Sequence, residues 1–399
     1  MGLSLLGWPL LVVLLVGALV TSIVAVVGAP RRGVVAGRPA LRTAVRATAL
    51  ILSQVMVVGI VADVINRQNG FYVSWGDLFG TSKITSVAYK PAKTANFLIP
   101  TQPAVVRRHG GHFHATSASL WPTNISKYWP KGSVVGTDSR GFTRVQLTLT
   151  GAASHITGSV SIFLPPHWSP NPLKAYPMVE ILGGFPGSSY MAFAKGGVGK
   201  VFEQYVAKHQ FAPTVFVAVQ NYSVRDSECI NSSAGQWGTW LATDVPNYVV
   251  QHAAVSPNRV AHAALGFSMG GWCANMLAVK YSQTFGSSIS LGGYMKPTFD
   301  PPSPVKLTSA QASAYDLNAI LMNQPPNIHM WMQTDSMDPI SYPSTAPLAA
   351  HAVPAPASVT LYVTKGAGHN WRTVGYSLPI AAKWLSRTSP VFAGSLATP

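Results

Sequence analysis

Ser268 sits in Gly266-Phe267-Ser268-Met269-Gly270, between a short apolar run (Arg259-Val260-Ala261-His262-Ala263-Ala264-Leu265) and a breaker-poor one (Cys273-Ala274-Asn275-Met276-Leu277-Ala278-Val279). The first run predicts a buried strand and the second a helix. Strand, G-x-S-x-G and helix make the setting of a nucleophile elbow. Glycines let the backbone turn sharply, and the serine hydroxyl is left exposed above the sheet edge. The helix that follows aims its first amides at the same place, where negative charge grows during acyl transfer.

A serine needs a base, and three histidines follow it: His329, His351 and His369. His329 lies inside the strand-like Asn327-Ile328-His329-Met330-Trp331-Met332-Gln333 and reads as a packed side chain. His351 lies in an Ala/Pro-rich stretch without turn chemistry. His369 falls in Lys365-Gly366-Ala367-Gly368-His369-Asn370-Trp371, directly after a strand-like run, and is the candidate general base. Acids are scarce, since the whole chain has only 12. Between Ser268 and His369 stand Asp300, Asp316, Asp335 and Asp338, and no glutamate follows Glu228. Asp300 and Asp316 lie in a Pro/Ser/Ala-rich insert suited to solvated or capping roles. Asp338, in the loop of Thr334-Asp335-Ser336-Met337-Asp338-Pro339, is the candidate acid, with Asp335 as the alternative. A second oxyanion donor is expected from Gly183-Gly184-Phe185-Pro186-Gly187, after the strand-like residues 176–182. Proline has no N–H, so the amide of Phe185 pairs with that of Met269.

Around these residues the chain also carries Arg225-Asp226-Ser227-Glu228-Cys229 and Thr239-Trp240-Leu241-Ala242-Thr243-Asp244-Val245-Pro246. With Leu-Gly-Gly-Phe-Pro-Gly and Gly-Phe-Ser-Met-Gly-Gly-Trp-Cys, this order resembles the putative-esterase family of α/β-hydrolases. Within it the chain is most similar to membrane-anchored actinobacterial members, and more distantly to the mycobacterial mycolyltransferases (the antigen 85 group) and esterase D. The resemblance covers about residues 140–388, together with residues 66–78. It implies an α/β-hydrolase fold, Ser268 as nucleophile, His369 as base, and the amides of Phe185 and Met269 as oxyanion hole. The mycolyltransferases use a glutamate as acid, where this chain offers only aspartates.

Stepping outward to what must carry the site, 399 residues are enough for one catalytic domain of about 250 plus an appendage. The chain is 48% hydrophobic but only 10% charged, far below the roughly 25% of ordinary soluble domains. Residues 5–27 carry no charge and are long enough to span about 30 Å of hydrocarbon. A second apolar run covers about residues 45–65. Residues 28–46 hold Arg31, Arg32, Arg38, Arg42 and Arg46 and no acid, so the positive-inside rule expects this loop in the cytoplasm and both termini outside. The expected layout is a two-helix anchor (1–66), a juxtamembrane segment and linker (67–139), a catalytic domain (140–388) and a tail (389–399).

Within the domain, residues 142–149 and 157–164 alternate apolar and polar and predict an antiparallel pair. Strand-like runs separated by helical ones then predict a mostly parallel sheet wrapped by helices. Asp244, before Val245-Pro246, reads as a helix N-cap, whereas Asp226 and Glu228 suit either a substrate contact or a local salt bridge. Cys229 and Cys273, the only two cysteines, are expected to form a disulfide outside the membrane. His109, His112 and His114 cluster beside Arg107 and Arg108 without a carboxylate or cysteine near them. They read as a basic loop, and neither a metal nor any other cofactor is expected. The net charge of +16 favours anionic envelope polymers as partners, with no nucleic-acid motif. The expectation is a membrane-anchored, extracytoplasmic serine esterase or acyltransferase acting on an ester or lipid-like envelope substrate. The alternative is a catalytically silent envelope binding or scaffold protein that keeps the fold.

Overall fold

A computed structural model of the chain describes residues 3–27, 38–90, 125–139, 141–299, 303, 305–350 and 352–394. The histidine cluster at 109–114, together with His351 and Asp300, lies outside these residues. The chain forms two compact units. One gathers Met1–Thr85, Met337–Pro339 and Lys365–Asn370, and the other holds Ser86–Ser336, Ile340–Thr364 and Trp371–Pro399.

In the first unit, α1 (Trp8–Val27) and α2 (Pro39–Asn69) are each long and apolar enough to cross a membrane. They pack as a hairpin whose polar contacts sit at its ends and middle. Arg46 donates to the carbonyls of Ala25 (3.0 Å) and Val26 (3.0 Å), thereby capping the C-terminus of α1. Ser22 Oγ meets Ser53 Oγ at 2.7 Å. Arg67 binds Asp63 at 2.6 Å and donates to the carbonyls of Leu6 and Gly7. The outer faces expose valines, leucines and isoleucines. After α2, Gly70 adopts φ 61° as the helix cap, and the short helix α3 (Trp75–Leu78) follows with Ser74 as its N-cap.

The second unit is built on a ten-stranded sheet. In chain order its first elements are β1 (Thr85–Lys90), β2 (Val134–Thr137), β3 (Thr143–Thr150), β4 (Thr157–Leu164) and β5 (Met178–Leu182). Next come α4 (Ser189–Ala194), α5 (Val198–Ala207), β6 (Val215–Val219) and a two-stranded hairpin of β7 (Asn231–Ser232) and β8 (Gly235–Gln236). α6 (Trp237–Thr239), a π-helical turn (Trp240–Asp244) and α7 (Val245–His252) run on without a break. β9 (His262–Phe267), α8 (Met269–Lys280) and β10 (Ser287–Leu291) surround Ser268. The remainder is α9 (Ser309–Ala314), α10 (Leu317–Asn323), β11 (His329–Asp335), α11 (Ser341–Ala350), β12 (Ser358–Lys365) and α12 (Trp371–Thr388).

The strand order is β1-β12-β11-β10-β9-β5-β6-β4-β3-β2. Six strands from β12 to β6 are parallel, and β4, β3 and β2 add antiparallel pairs. Alternate residues serve the two faces. Met178 and Leu182 of β5, with Val215, Val217 and Val219 of β6, pack toward Trp240, Trp272 and the α8 side. Val179, Ile181, Phe216 and Ala218 pack toward Phe193, Phe202 and α12. Both faces are covered, which is why these strands read as apolar runs. The fold is that of an α/β-hydrolase.

Three elements depart from the sequence reading. The stretch expected to be a linker supplies β1 and β2 to the sheet. The first residues of the expected tail are part of the core: Phe392 is fully buried and Ala393 bridges to Phe211. Burying such a ring contributes about 2–3 kcal/mol, enough to hold the end of the chain. Asp244 lies inside continuous helix and caps nothing there. Its carboxylate instead accepts the N–H groups of Ala153 and Ser154, both at 2.9 Å. That ties the helix to the β3–β4 turn, and these bonds hold the Asp244 carboxyl below its ordinary value despite the opposing effect of partial burial.

Glu180 lies fully buried in the middle of β5, with no hydrogen-bond partner for either carboxyl oxygen among the described residues. Burial pushes its carboxyl well above the ordinary value of 4.5, so it is held neutral. Below pH 4.5 the folded and unfolded chains both keep this proton. As pH rises further the unfolded chain ionises first, and stability is lost until the folded carboxyl itself titrates. Glu180→Gln should therefore flatten the pH dependence of Tm, with the variant gaining on wild type as pH rises above 4.5. A constant Tm difference across that range would refute the neutral-acid assignment.

Candidate active site

Ser268 terminates β9 and begins α8 with φ 60° and ψ −125°, a conformation that costs a non-glycine residue energy and marks a functional turn. Glycine is obligatory on both sides. A Cβ on Gly266 would lie 2.2 Å from the Gly270 carbonyl, and one on Gly270 would lie 2.1 Å from Leu182 O. The Ser268 N–H is held by Leu291 O at 2.9 Å. Met269, the next residue, opens a helix of 12 residues whose positive end faces this turn.

The Gly183-Gly184-Phe185 loop passes directly against the elbow, since a Cβ on Gly184 would sit 3.3 Å from Ser268 Cβ. Its position is fixed from beneath. Asn221 Nδ2 donates to Gly183 O at 2.9 Å, and Gly183 N donates to Ser189 Oγ at 2.9 Å. Ser189 Oγ in turn donates to Val219 O, and Gly187 N donates to Tyr222 Oη at 2.7 Å. Asn221, Ser189 and Tyr222 escaped the sequence reading. Their only signal was position, at the carboxyl end of β6 and the start of α4. Trp371, half-exposed at the start of α12, lies 5.0 Å from the Phe267 ring and gives the elbow an apolar flank.

Cys229 and Cys273 are joined, with Cα atoms 5.6 Å apart. The bridge locks the turn carrying Glu228 and Cys229, both at positive φ, to α8. Trp272 Nε1 donates to Glu228 O at 2.8 Å, and Tyr294 Oη donates to Glu228 Oε1 at 2.6 Å. Burial first, and the neighbouring Asp226 second, raise the Glu228 carboxyl well above its ordinary value. Glu228 is thus a buried neutral acid of the wall behind α8, and Asp226 accepts the Glu228 N–H at 2.8 Å.

In the first unit, His369 Nδ1 and Asp338 Oδ2 are 2.8 Å apart, both side chains nearly inaccessible. A carboxylate on Nδ1 sets the tautomer that leaves the lone pair on Nε2. Asp335, the alternative acid, is buried at the end of β11, where it accepts Thr364 Oγ1 at 2.8 Å. Asp316 caps α10 and pairs with Lys296 at 2.8 Å. His329 is buried in β11, and burial together with Arg259 pushes its imidazole down to about 4, which makes it a neutral core histidine. Among the described residues, no group of three His, Cys, Asp or Glu is arranged to hold a metal ion.

The α/β-hydrolase fold places a strained serine turn between β9 and α8. Residues 156–370 match the model of the family described as "Putative esterase". An uncharacterized protein of Corynebacterium glutamicum is 23% identical over 228 residues, covering 55% of this chain and 50% of the relative. The diacylglycerol acyltransferase/mycolyltransferase Ag85C of Mycobacterium avium is 31% identical over 103 residues, covering 26% and 28%. The chain thus spans half or less of the length of these relatives. Among solved structures, an S-formylglutathione hydrolase from Agrobacterium tumefaciens superposes with a TM-score of 0.54 at 14% identity, covering 64% of this chain and 99% of that one. A ferulic acid esterase gives 0.52 at 17% identity, covering 62% and 98%. This chain belongs to the putative-esterase family.

Proposed function

We propose that this protein is a membrane-anchored, extracytoplasmic serine esterase or acyltransferase, with Ser268 as nucleophile, His369 as general base, Asp338 as its partner, and the amides of Phe185 and Met269 as oxyanion hole. The buried His369–Asp338 pair is the observation that carries this reading. It stands on loops that continue β12 and β11, strands parallel to the one that ends at Ser268. Ser268 Oγ attacks the ester carbonyl as His369 Nε2 takes its proton. The two amides hold the oxyanion of the tetrahedral intermediate. Collapse expels the alcohol, protonated by His369, and leaves the acyl group on Ser268. Water then yields the acid, or an acceptor alcohol yields a new ester. The half-exposed Trp371 beside the elbow and the two apolar helices favour an ester of an envelope lipid. Anionic envelope polymers fit the net charge of +16. The arginines between the apolar helices favour a cytoplasmic loop, with the catalytic domain outside.

A membrane-impermeant fluorophosphonate probe applied to intact cells tests chemistry and placement together. Wild type should be labelled on intact cells, and Ser268→Ala should not. Labelling only after lysis would overturn the extracytoplasmic placement, and labelling of Ser268→Ala equal to wild type would overturn the nucleophile.

A further inference from the structure

The loop that carries His369 is gripped by residues far from it in sequence. The His369 N–H donates to Gly70 O at 2.8 Å. On one side of it, the Gly368 N–H donates to Asp77 Oδ2 at 2.8 Å. On the other, Asn370 Nδ2 donates to Phe71 O at 2.7 Å and to both Asp77 oxygens at 3.2 Å. Three consecutive residues are therefore gripped by the stretch that leaves α2. Further along the loop, Ser82 Oγ donates to Gly366 O at 2.7 Å.

The same stretch meets the acid turn. A Cβ on Gly70 would lie 2.3 Å from Cδ and Cγ of Pro339, the residue after Asp338. A Cβ on Gly368 would lie 2.2 Å from Gly70 O. The fit leaves no room for a side chain at either position. Asp77 is itself fully buried and organised from its own side: its carboxylate accepts Val73 N–H at 3.1 Å, and its N–H donates to Ser74 Oγ at 3.1 Å. A carboxylate accepting several buried N–H groups makes stronger and more directional bonds than an amide oxygen would. This is an anchor point for geometry.

We propose that Asp77 is a positioning residue for the general base, and that residues 70–77 form a brace for the loop that carries His369. The inference rests on the reading of His369 as base. Asp77 touches no reacting atom. It holds the Gly368 backbone on one side of His369 and the Asn370 side chain on the other, so the imidazole meets Asp338 in one orientation. Asp77→Asn replaces one acceptor oxygen by an NH2 group that faces donors, and the His369 loop loses its register. A displacement of about 1 Å at a reacting group lowers turnover by about 10²-fold.

The test uses the full-length protein in detergent micelles with a p-nitrophenyl ester, and expresses kcat per active site titrated with a fluorophosphonate. Asp77→Asn should lower kcat per titrated site about 100-fold with KM nearly unchanged. A role in folding alone would reduce the number of titratable sites and leave the turnover of each intact, and that result overturns the proposal. Should Asp77→Asn not accumulate, Asn370→Ser removes the amide bonds to Phe71 and Asp77 while leaving Asp77 its contacts with Val73 and Gly368. A fall in kcat per site of about tenfold supports the proposal, and an unchanged value overturns it. Ser268→Ala and His369→Ala run alongside separate the two levels. Activity in either overturns the catalytic reading itself. Inactivity in both, with wild-type turnover in Asp77→Asn, overturns only the positioning role.

Discussion

Asp338→Asn should lower kcat for a model ester by about 10⁴-fold, the scale at which a base loses its orienting carboxylate and the stabiliser of its imidazolium form. The 2.8 Å contact to His369 Nδ1 is the reason. An asparagine at that position presents either an amide oxygen, without the negative charge that stabilises the imidazolium, or an NH2 group that forces the proton onto Nε2. In that second tautomer the base cannot accept the Ser268 proton. Asp335→Asn should cost far less, because Asp335 accepts from Thr364 across adjacent strands and its loss perturbs the strand ends. Equal kcat losses, or the reverse ranking, would reassign the acid.

Removing the disulfide, whose two cysteines lie buried in the core, should cost substantial stability. The bond closes a loop of 44 residues, for which the chain-entropy model gives about 4 kcal/mol. At roughly 2–4 °C per kcal/mol for a domain of this size, Cys229→Ala/Cys273→Ala should lower Tm by about 10 °C. The pairing also holds Glu228 and Cys229 at positive φ against α8, so the double variant should lose ester turnover well below the temperature at which it unfolds. A Tm within about 2 °C of wild type would show that the surrounding packing, not the bridge, holds this wall.

The Ser268 turn and the parallel sheet were legible because each rests on local chemistry. Glycine spacing marks the elbow, alternation marks β3 and β4, and scarcity of acids narrows the choice to Asp335 and Asp338. Between those two, sequence proximity is silent, and the contact to His369 is what favours Asp338 in the proposed reading. What stayed hidden depends on pairings between distant parts of the chain. β1 and β2 come from stretches rich in Pro, Ser and Thr, and the sheet supplies their partners. Asp244 stands where an N-cap is expected, yet the turn at Ala153 and Ser154 takes its carboxylate. Asp77 was visible only as one residue of a familiar stretch after the second apolar run, and nothing nearby in sequence announces that its partners are Gly368 and Asn370.

The bond between Gly368 and Asp77 spans 291 positions of chain, and this separation governs when the protein becomes active. Closing a loop of that length costs about 5 kcal/mol of chain entropy, whereas one hydrogen bond returns about 1 kcal/mol. The contact therefore cannot form alone. It must follow the assembly of the sheet, in which β1 and β12 become neighbours. A ribosome-bound chain that has already exposed Ser268 lacks Asp338, His369 and the grip of Asp77 on the loop that carries the base. On the proposed reading, acyl chemistry is thereby withheld from the nascent polypeptide, and enzymatic competence arrives with long-range topological closure rather than with the appearance of Ser268.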